Sequence, residues 1–260
     1  MPLARLLFPT STLALLLLAC AGSTPSSTAF APITGIVIRS DSLVSGTGCG
    51  KGDDEIFKYA AVVLQGSTPV AVGVFNCFAD AKFADLQGSD AGSLSFDVKV
   101  YAFNSCAYEA QNTEGALDPA RADWTRIQNL KPTYLGRCTA TQQQDVEVLA
   151  VCEPLAPVRG TATVQIDTVS FQNKAGKTLK CEDKAYRNVE AFFRAGESFG
   201  QLPPVTCPAP IIVSAKAPAT YTFDVHLLDP SAGLFGVATA RCRACTTPGL
   251  DTKATCEPAE

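Results

Sequence analysis

The sequence has little histidine: His226 is the single one among 260 residues. One imidazole limits any histidine-based metal site, and we expect neither a metal nor a cofactor. The sequence also lacks a basic block, since 21 Lys and Arg are set against 25 Asp and Glu, for a net charge of −4 at pH 7. Nucleic-acid binding and electrostatic adhesion to anionic lipid both require clustered positive charge. We therefore expect no nucleic-acid partner.

Long apolar runs are missing as well. A transmembrane helix needs about 20 apolar residues, and the run after Thr12 is shorter than that. With Arg5 before it and small residues after it, this run has the layout of a secretory signal peptide. We expect export and no transmembrane helix in the mature chain.

The end of the signal carries a resemblance. Leu17-Leu18-Ala19-Cys20 is similar to the lipobox of bacterial lipoproteins, although that family more often has a small or β-branched residue where Leu18 stands. The resemblance implies a signal peptide over residues 1–19, lipid acylation of Cys20, and, with Ala21 following, delivery to the outer membrane of a diderm cell. Residues 20–32 have the composition of a flexible tether. The alternative is ordinary cleavage after Ala21 and a secreted, soluble protein.

Cysteine usage fits an exported chain. There are 11 cysteines, and removal of Cys20 for lipidation leaves ten, which can all pair. Disulfides form and persist in exported proteins. We therefore expect a disulfide-reinforced core.

An internal repeat organises the rest of the chain. The pattern R-C-x13-C-E-P occurs at Arg137–Pro154 and again at Arg241–Pro258, and upstream "SFDVKV" matches "TFDVHL". The repeat is longer than 100 residues, which is the size of a domain. We predict two tandem homologous domains, 33–155 and 156–260.

Each predicted domain is rich in strand signals. Short segments rich in Val, Ile, Phe and Tyr alternate with Gly, Pro, Asn and Asp, and helical periodicity is nearly absent. The prediction is an all-β fold of two antiparallel β-sandwiches with disulfides. The Cys…Trp…Cys hallmark of antibody domains is missing, so "immunoglobulin-like" describes the architecture alone.

The repeat also suggests disulfide partners. In "TTPGLD", Gly249 lies midway between two cysteines and favours a hairpin turn. Such a hairpin sets the two cysteines opposite each other and closes a loop that contributes about 3 kcal/mol in the chain-entropy model. Two cysteines have no counterpart in the other repeat, and we expect them to bridge the domains. The predicted pairs are Cys138–Cys152, Cys242–Cys256, Cys49–Cys77, Cys181–Cys207 and, between domains, Cys106–Cys245.

One pentapeptide suggests an enzyme. Gly196-Glu197-Ser198-Phe199-Gly200 matches the G-x-S-x-G elbow of serine hydrolases, and Asp224 and His226 follow in the hydrolase order. The elbow needs a strand, a sharp turn and a helix, but Pro203-Pro204 follows here. The matching place in the first repeat, "QGSTP", is a plain hairpin loop. We expect Ser198 on the surface, with a hydrolase as the alternative.

Two further patterns involve potential metal or redox chemistry. Cys242 and Cys245 form a C-x-x-C, and a four-thiolate zinc site with Cys106 and Cys256 fits by ligand type. An oxidising compartment argues against both. "GKGDDE" at 50–55 is an acidic loop without the spacing of a calcium-binding loop, so we expect a solvated turn.

The first repeat carries an insertion of about 23 residues with the chain's single Trp. Asp118 as N-cap and Pro119 as first helical residue predict an amphipathic helix of about a dozen residues. Ala120, Trp124 and Ile127 follow at helical spacing. Trp124 either packs onto the sandwich or belongs to a binding surface, since loops on rigid scaffolds commonly bind.

These patterns predict a non-catalytic binding or structural protein of the cell envelope. Its expected partners are the membrane, through a lipid on Cys20, and an unknown envelope protein or glycan. The alternatives are a serine hydrolase acting through Ser198 and a redox or metal protein acting through Cys242 and Cys245.

Overall fold

The structure is a computed structural model of the chain. It describes residues 33–87, 95–141, 143, 146–167, 170–173, 175–181, 188–229 and 236–259. Cys20 and the predicted signal and tether therefore lie outside the described residues. The described part belongs to one compact unit. Among these residues, no helix is both long enough and apolar enough to cross a lipid bilayer.

The first half of the fold, residues 33–157, has a three-stranded sheet in the order β4-β1-β7 and a larger sheet in the order β3-β2-β5-β6-β8, with β9 also on β6. Its strands are β1 (Ile33–Ile38), β2 (Lys58–Gln65), β3 (Thr68–Asn76), β4 (Ala81–Gln87), β5 (Ser95–Phe103), β6 (Tyr134–Thr141), β7 (Val146–Leu149), β8 (Val151–Cys152) and β9 (Ala156–Pro157). Its helices are α1 (Ser40–Leu43), α2 (Ser105–Gln111) and α3 (Trp124–Ile127), with a 3₁₀ turn at Thr113–Gly115.

The second half, residues 160–259, repeats this plan. A three-stranded sheet in the order β16-β10-β19 faces a larger sheet in the order β12-β11-β18-β17-β13-β14, with β15 on β13 and β20 on β18. Its strands are β10 (Gly160–Ile166), β11 (Ser170–Gln172), β12 (Thr178–Lys180), β13 (Asn188–Ala195), β14 (Ser198–Gln201), β15 (Val205–Thr206), β16 (Ile211–Ala217), β17 (Ala219–Leu228), β18 (Gly236–Thr246), β19 (Asp251–Lys253) and β20 (Thr255–Ala259).

The all-β sandwich with disulfides is the predicted fold class. Alternating burial along β5 and β17 places apolar side chains between the two sheets of each half, as the period of a strand requires. Each half has its own core, built around Ile36 and Val98 in the first and around Val164 and Phe223 in the second. The division into two domains stays a prediction.

One parallel strand pair in each half was not expected. β1 pairs in parallel with β7, and β10 with β19, whereas the prediction was antiparallel throughout. In the first half, β7 and β8 are separated by Ala150 alone, and they pair in different sheets. The chain therefore passes from the smaller sheet to the larger one between β7 and β8, and β7 runs parallel to β1. Hairpins between consecutive strands predict antiparallel pairs only.

Four disulfides join the pairs that the repeat predicts, and a fifth joins Cys106 to Cys245, the two cysteines without a counterpart in the other repeat. Cys138 lies directly opposite Cys152 in the register of β6 and β8, and Cys242 directly opposite Cys256 in that of β18 and β20. Their Cα atoms are 4.0 and 3.9 Å apart. The same cross-strand bridge therefore occurs at the same place in both halves.

The larger sheet of the first half is covered on both faces. β2 is buried at six consecutive positions, from Tyr59 to Leu64. Tyr59, Ala61 and Val63 face the sandwich core, whereas the other three residues pack against the segment between β5 and β6. That second cluster is formed by Ala60, Val62, Leu64, Val74, Phe103, Ala107, Leu117 and Ile127. The insertion thus has a structural function as a cover.

The predicted insertion helix is wrong in its extent. Its N-cap is Asp123, whose side chain accepts a hydrogen bond from the Arg126 N–H, and the helix covers only Trp124–Ile127. Asp118 instead accepts the Ala120 N–H at 3.0 Å and begins a turn. Such a local bond from an Asp side chain competes with helix formation.

Helix α2 was not predicted. The Asn104 side chain accepts the Ala107 N–H at 2.8 Å, which satisfies a donor that the first turn of a helix leaves free. The helix buries Cys106, Ala107 and Gln111. Its sequence is too short for a helical period to stand out, so the N-cap was the available signal.

Candidate binding cleft

A cleft of about 760 Å³ lies where the second half meets the first. It opens between the two sheets of the second half, and its floor is formed by Phe193, Tyr221 and Phe223. Tyr221 and Phe223 are buried, with ring centroids 6.0 Å apart, and Phe193 is half-buried with its ring 6.1 Å from that of Tyr221. The lining is therefore mostly apolar and aromatic, as in small-molecule and side-chain pockets.

The rim of the cleft is polar. Arg159, between the halves, donates from Nη1 to Asp54 Oδ1 at 3.2 Å, and Lys216 and Ser198 are exposed nearby. An exposed ion pair of this kind contributes little to stability. Its position at the mouth instead offers one charge of each sign to a bound group.

Asp53 closes the end of the cleft by joining the halves. Its carboxylate accepts the backbone N–H of Thr220 at 2.7 Å and also the Thr220 hydroxyl. Its carbonyl accepts from Asn104 Nδ2 at 2.8 Å. Asp53 is therefore held from both sides, and it fixes the start of β17, which lines the cleft.

The disulfide between halves lies beside this contact. Cys106 Sγ is 3.9 Å from Asp53 Oδ1, and the Thr220 hydroxyl is 3.7 Å from Cys245 Sγ. The Cα atoms of the two cysteines are 5.6 Å apart. A covalent bridge and two hydrogen bonds thus fix the two walls next to the cleft.

The acidic loop at 50–55 has a structural use. Glu55 accepts the Gly52 N–H at 2.7 Å, while Asp53 and Asp54 bind Thr220 and Arg159. The three carboxylates point to three different partners. They do not converge as calcium ligands would.

The pentapeptide around Ser198 is a hairpin. Ala195 pairs with Ser198, which leaves Gly196 and Glu197 as a two-residue turn. Gly196 has φ of +55°, which the first turn position of such hairpins requires. Gly200 lies under the ring of Phe193, where an added Cβ would be 2.5 Å from that ring. Both glycines of the motif are therefore explained by the hairpin itself.

The structure does not bring the hydrolase residues together. Ser198 is exposed at the cleft mouth and pairs with Ala195 on β13. His226 pairs with Glu190, five residues away along the same strand, and five residues of strand span about 16 Å. A nucleophile and its base need hydrogen-bond contact, which this distance excludes. Asp224 instead accepts from Arg241 Nε at 3.0 Å.

The C-x-x-C motif is divided between two bridges. Cys242 is bound to Cys256 and Cys245 to Cys106, so the predicted four-thiolate site is not assembled. Asp53, Cys106 and Cys245 do place potential ligand atoms within 4.8 Å of one another. With both sulfurs in a disulfide, neither is the thiolate that binds a metal.

Trp124 packs onto the covered face of the first half. It is half-buried, its ring centroid lies 6.5 Å from that of Tyr101, and Lys99 Nζ lies 5.8 Å from its ring. It contacts the cluster that also holds Ile127. These contacts are those of a cover residue, and a binding role for Trp124 stays a prediction.

Sequence reasoning missed the cleft because its parts are far apart in the chain. Asp53 and Thr220 are separated by 167 residues. No rule of sequence spacing connects a polar loop residue with a residue at the start of a distant strand. Cys106 and Cys245, which have no counterpart in the other repeat, were the available signal that this region is a junction.

No protein-family model matches the chain, and no curated protein matches it. The chain has a weak likeness to the crystal structure of a fimbrial assembly protein from Parabacteroides distasonis: 8% identity, 88% of this chain, 100% of that chain, TM-score 0.27. For the fimbrial anchor protein Mfa2 from Porphyromonas gingivalis the identity is 8%, the match covers 79% of this chain and 80% of that chain, and the TM-score is 0.26. For a putative adhesin from Bacteroides thetaiotaomicron the identity is 12%, the match covers 81% of this chain and 80% of that chain, and the TM-score is 0.26. Scores this low carry no argument about function.

Proposed function

We propose that the chain is an exported binding protein of the cell envelope, anchored in the outer membrane through a lipid on Cys20, and that it acts without catalysis. The braced cleft between the halves carries this proposal. Five disulfides further support export, because such bonds persist in oxidising compartments.

The cleft suits an apolar group presented by a partner protein of the envelope. Phe193, Tyr221 and Phe223 offer an aromatic floor, and anchors in protein interfaces typically fill pockets of this kind. The pair Asp54–Arg159 and the ammonium of Lys216 surround the mouth, where they orient the group that enters. The walls are pre-ordered by Cys106–Cys245 and Asp53, so little ordering entropy is lost on binding.

A pull-down from solubilised envelopes with the immobilised full chain tests the cleft. Ser198→Trp places a large side chain at the mouth from an exposed hairpin position. Thr68→Trp is the matched control, because Thr68 occupies the same position in the β2–β3 hairpin, where it pairs with Gln65. We expect the partner to be lost with Ser198→Trp and kept with Thr68→Trp. Equal capture by both variants would contradict a role for the cleft.

The anchor has its own test. Cells fed with radioactive palmitate should label the chain, and Cys20→Ala should abolish the label and release the protein from membranes. An unlabelled, soluble wild-type chain would favour the alternative of secretion.

A further inference from the structure

The outer face of the larger sheet in the second half carries an aromatic strip, defined by Phe192, Phe199 and His226. The register places these rings on one face. Phe192 lies opposite Asp224, His226 opposite Glu190, and Phe199 opposite Arg194, the residue two positions from Phe192. The inner face of the same strands belongs to the core.

The equivalent face of the first half is covered. His226 occupies the place of Lys99 in the repeat, and Lys99 pairs with Val62, which is fully buried under the insertion. In the second half, β17 ends at Leu228 and β18 begins at Gly236, so the connection is far too short for such a cover. At the position of the buried Val62, the second half therefore has the charged Glu190, which pairs with His226.

The rings of the strip form an accessible stack. Phe199 is 66% exposed, and its ring is nearly parallel to that of Phe192, at 9° with centroids 6.2 Å apart. His226 meets Phe192 edge to face at 5.5 Å. An exposed ring presents a negatively polarised apolar surface, to which the C–H face of a sugar ring is complementary.

Planar polar side chains surround the strip. Gln201 donates to Glu190 at 3.2 Å, and Arg241 donates to Asp224 at 3.0 Å, both close to Phe192 in the register. Arg241 also lies opposite Glu257 in the register of β18 and β20. Among the described strands of this sheet, the charged residues of the outer face are Lys180, Arg194, Arg241, Arg243, Glu190, Asp224 and Glu257, four basic and three acidic.

This balance selects among ligand classes. Nearly equal numbers of acidic and basic groups attract a polyanion only weakly, because such binding requires clustered positive charge. An apolar protein surface would strip water from these charged groups without replacing their hydrogen bonds. A ligand rich in hydroxyl groups supplies both donors and acceptors to them. We infer that the aromatic strip binds a neutral glycan chain.

Affinity electrophoresis tests this inference on the full-length chain, with gels containing mannan, laminarin, dextran or arabinoxylan. We expect at least one polysaccharide to retard the protein, and Phe199→Ala to weaken that binding about tenfold or more, as is typical for loss of an aromatic anchor. Phe78→Ala is the matched control, because Phe78 is an 80% exposed aromatic residue of the first half. It should leave the retardation unchanged.

Two outcomes would overturn the inference: no retardation by any of the four polysaccharides, or equal retardation of wild type and Phe199→Ala. Phe199 is exposed, so its truncation should leave the melting temperature unchanged. The inference depends neither on the cleft nor on the anchor, and Ser198→Trp should not alter the retardation.

Discussion

At the scale of single residues, burial raises the pKa of several tyrosine side chains. Tyr59 is fully buried in the core of the first half, and its hydroxyl donates to the carbonyl of Ala79 at 2.6 Å. Burial, with the nearby charge of Asp80 as a second cause, raises the pKa of Tyr59 well above its ordinary value near 10. Burial also raises the pKa of Tyr101 and Tyr134.

An alkaline titration of stability tests this. Above about pH 10 the unfolded chain loses the phenol protons that the folded chain keeps, so the free energy of unfolding falls as pH rises. In Tyr59→Phe this fall should be shallower, since one such phenol group is removed. Urea unfolding at neutral pH and above pH 10 measures it. Parallel pH profiles would contradict the role of Tyr59.

The hairpin glycines allow a second prediction at this scale. Gly196→Ala should lower the free energy of unfolding by about 1 to 2 kcal/mol, because φ of +55° is strained for a residue with a Cβ. No atom lies within 4 Å of the added Cβ, so the cost is one of backbone conformation. Gly66→Ala, at φ of +61° in the equivalent hairpin, should cost about the same.

Ser198→Ala completes this comparison. Since Ser198 is exposed, its loss should change the stability by less than about 0.5 kcal/mol. Hydrolysis of p-nitrophenyl acetate should be equal in wild type and variant. A serine-dependent rate would restore the hydrolase alternative.

At the scale of elements, the insertion between β5 and β6 allows β2 to carry apolar residues on both of its faces. β2 has apolar residues on both faces, a pattern usual for strands buried on both sides. The strand signal was readable from the sequence, but which layer covers the outer face was not. The spacing of Trp124 and Ile127 suits a helix, but the Ala120 N–H donates to the Asp118 carboxylate and begins a turn, so the predicted helix start was wrong.

Truncation of Ile127 tests the insertion as a cover. Ile127 is fully buried in the outer cluster, so Ile127→Ala should cost about 2 to 5 kcal/mol. Ile212→Ala removes the same atoms from a 64% exposed position on β16 and should cost less than about 0.5 kcal/mol. Denaturant unfolding compares the two. Similar costs would mean that the insertion does not pack on the sheet.

At the scale of the whole molecule, the halves are linked by few but specific contacts. Cys106–Cys245 joins residues 139 apart in sequence, and Asp53 accepts two hydrogen bonds from Thr220. In the chain-entropy model a bridge over that many residues contributes about 5 kcal/mol, against about 3 for the hairpin bridges. This bridge should therefore govern whether the halves unfold together.

The double variant Cys106→Ser/Cys245→Ser tests this coupling. We expect its calorimetric trace to show two transitions where the wild type shows one, because each half keeps its own core. Cys138→Ser/Cys152→Ser is the control. It removes a bridge within one half, so the melting temperature should fall while the link between halves remains. A single cooperative transition in the first variant would show that the bridge does not couple them.

The sequence by itself determined the all-β fold class, the internal repeat and the cysteine pairs. Alternation and spacing are local properties, and the repeat compares one half with the other. Only the tertiary structure decided that Asp53 reaches Thr220, that a cleft opens over Phe193 and Tyr221, and that one outer face is covered while the other is not. These features depend on contacts between residues far apart in the chain, and no local pattern encodes which distant surface a loop will meet.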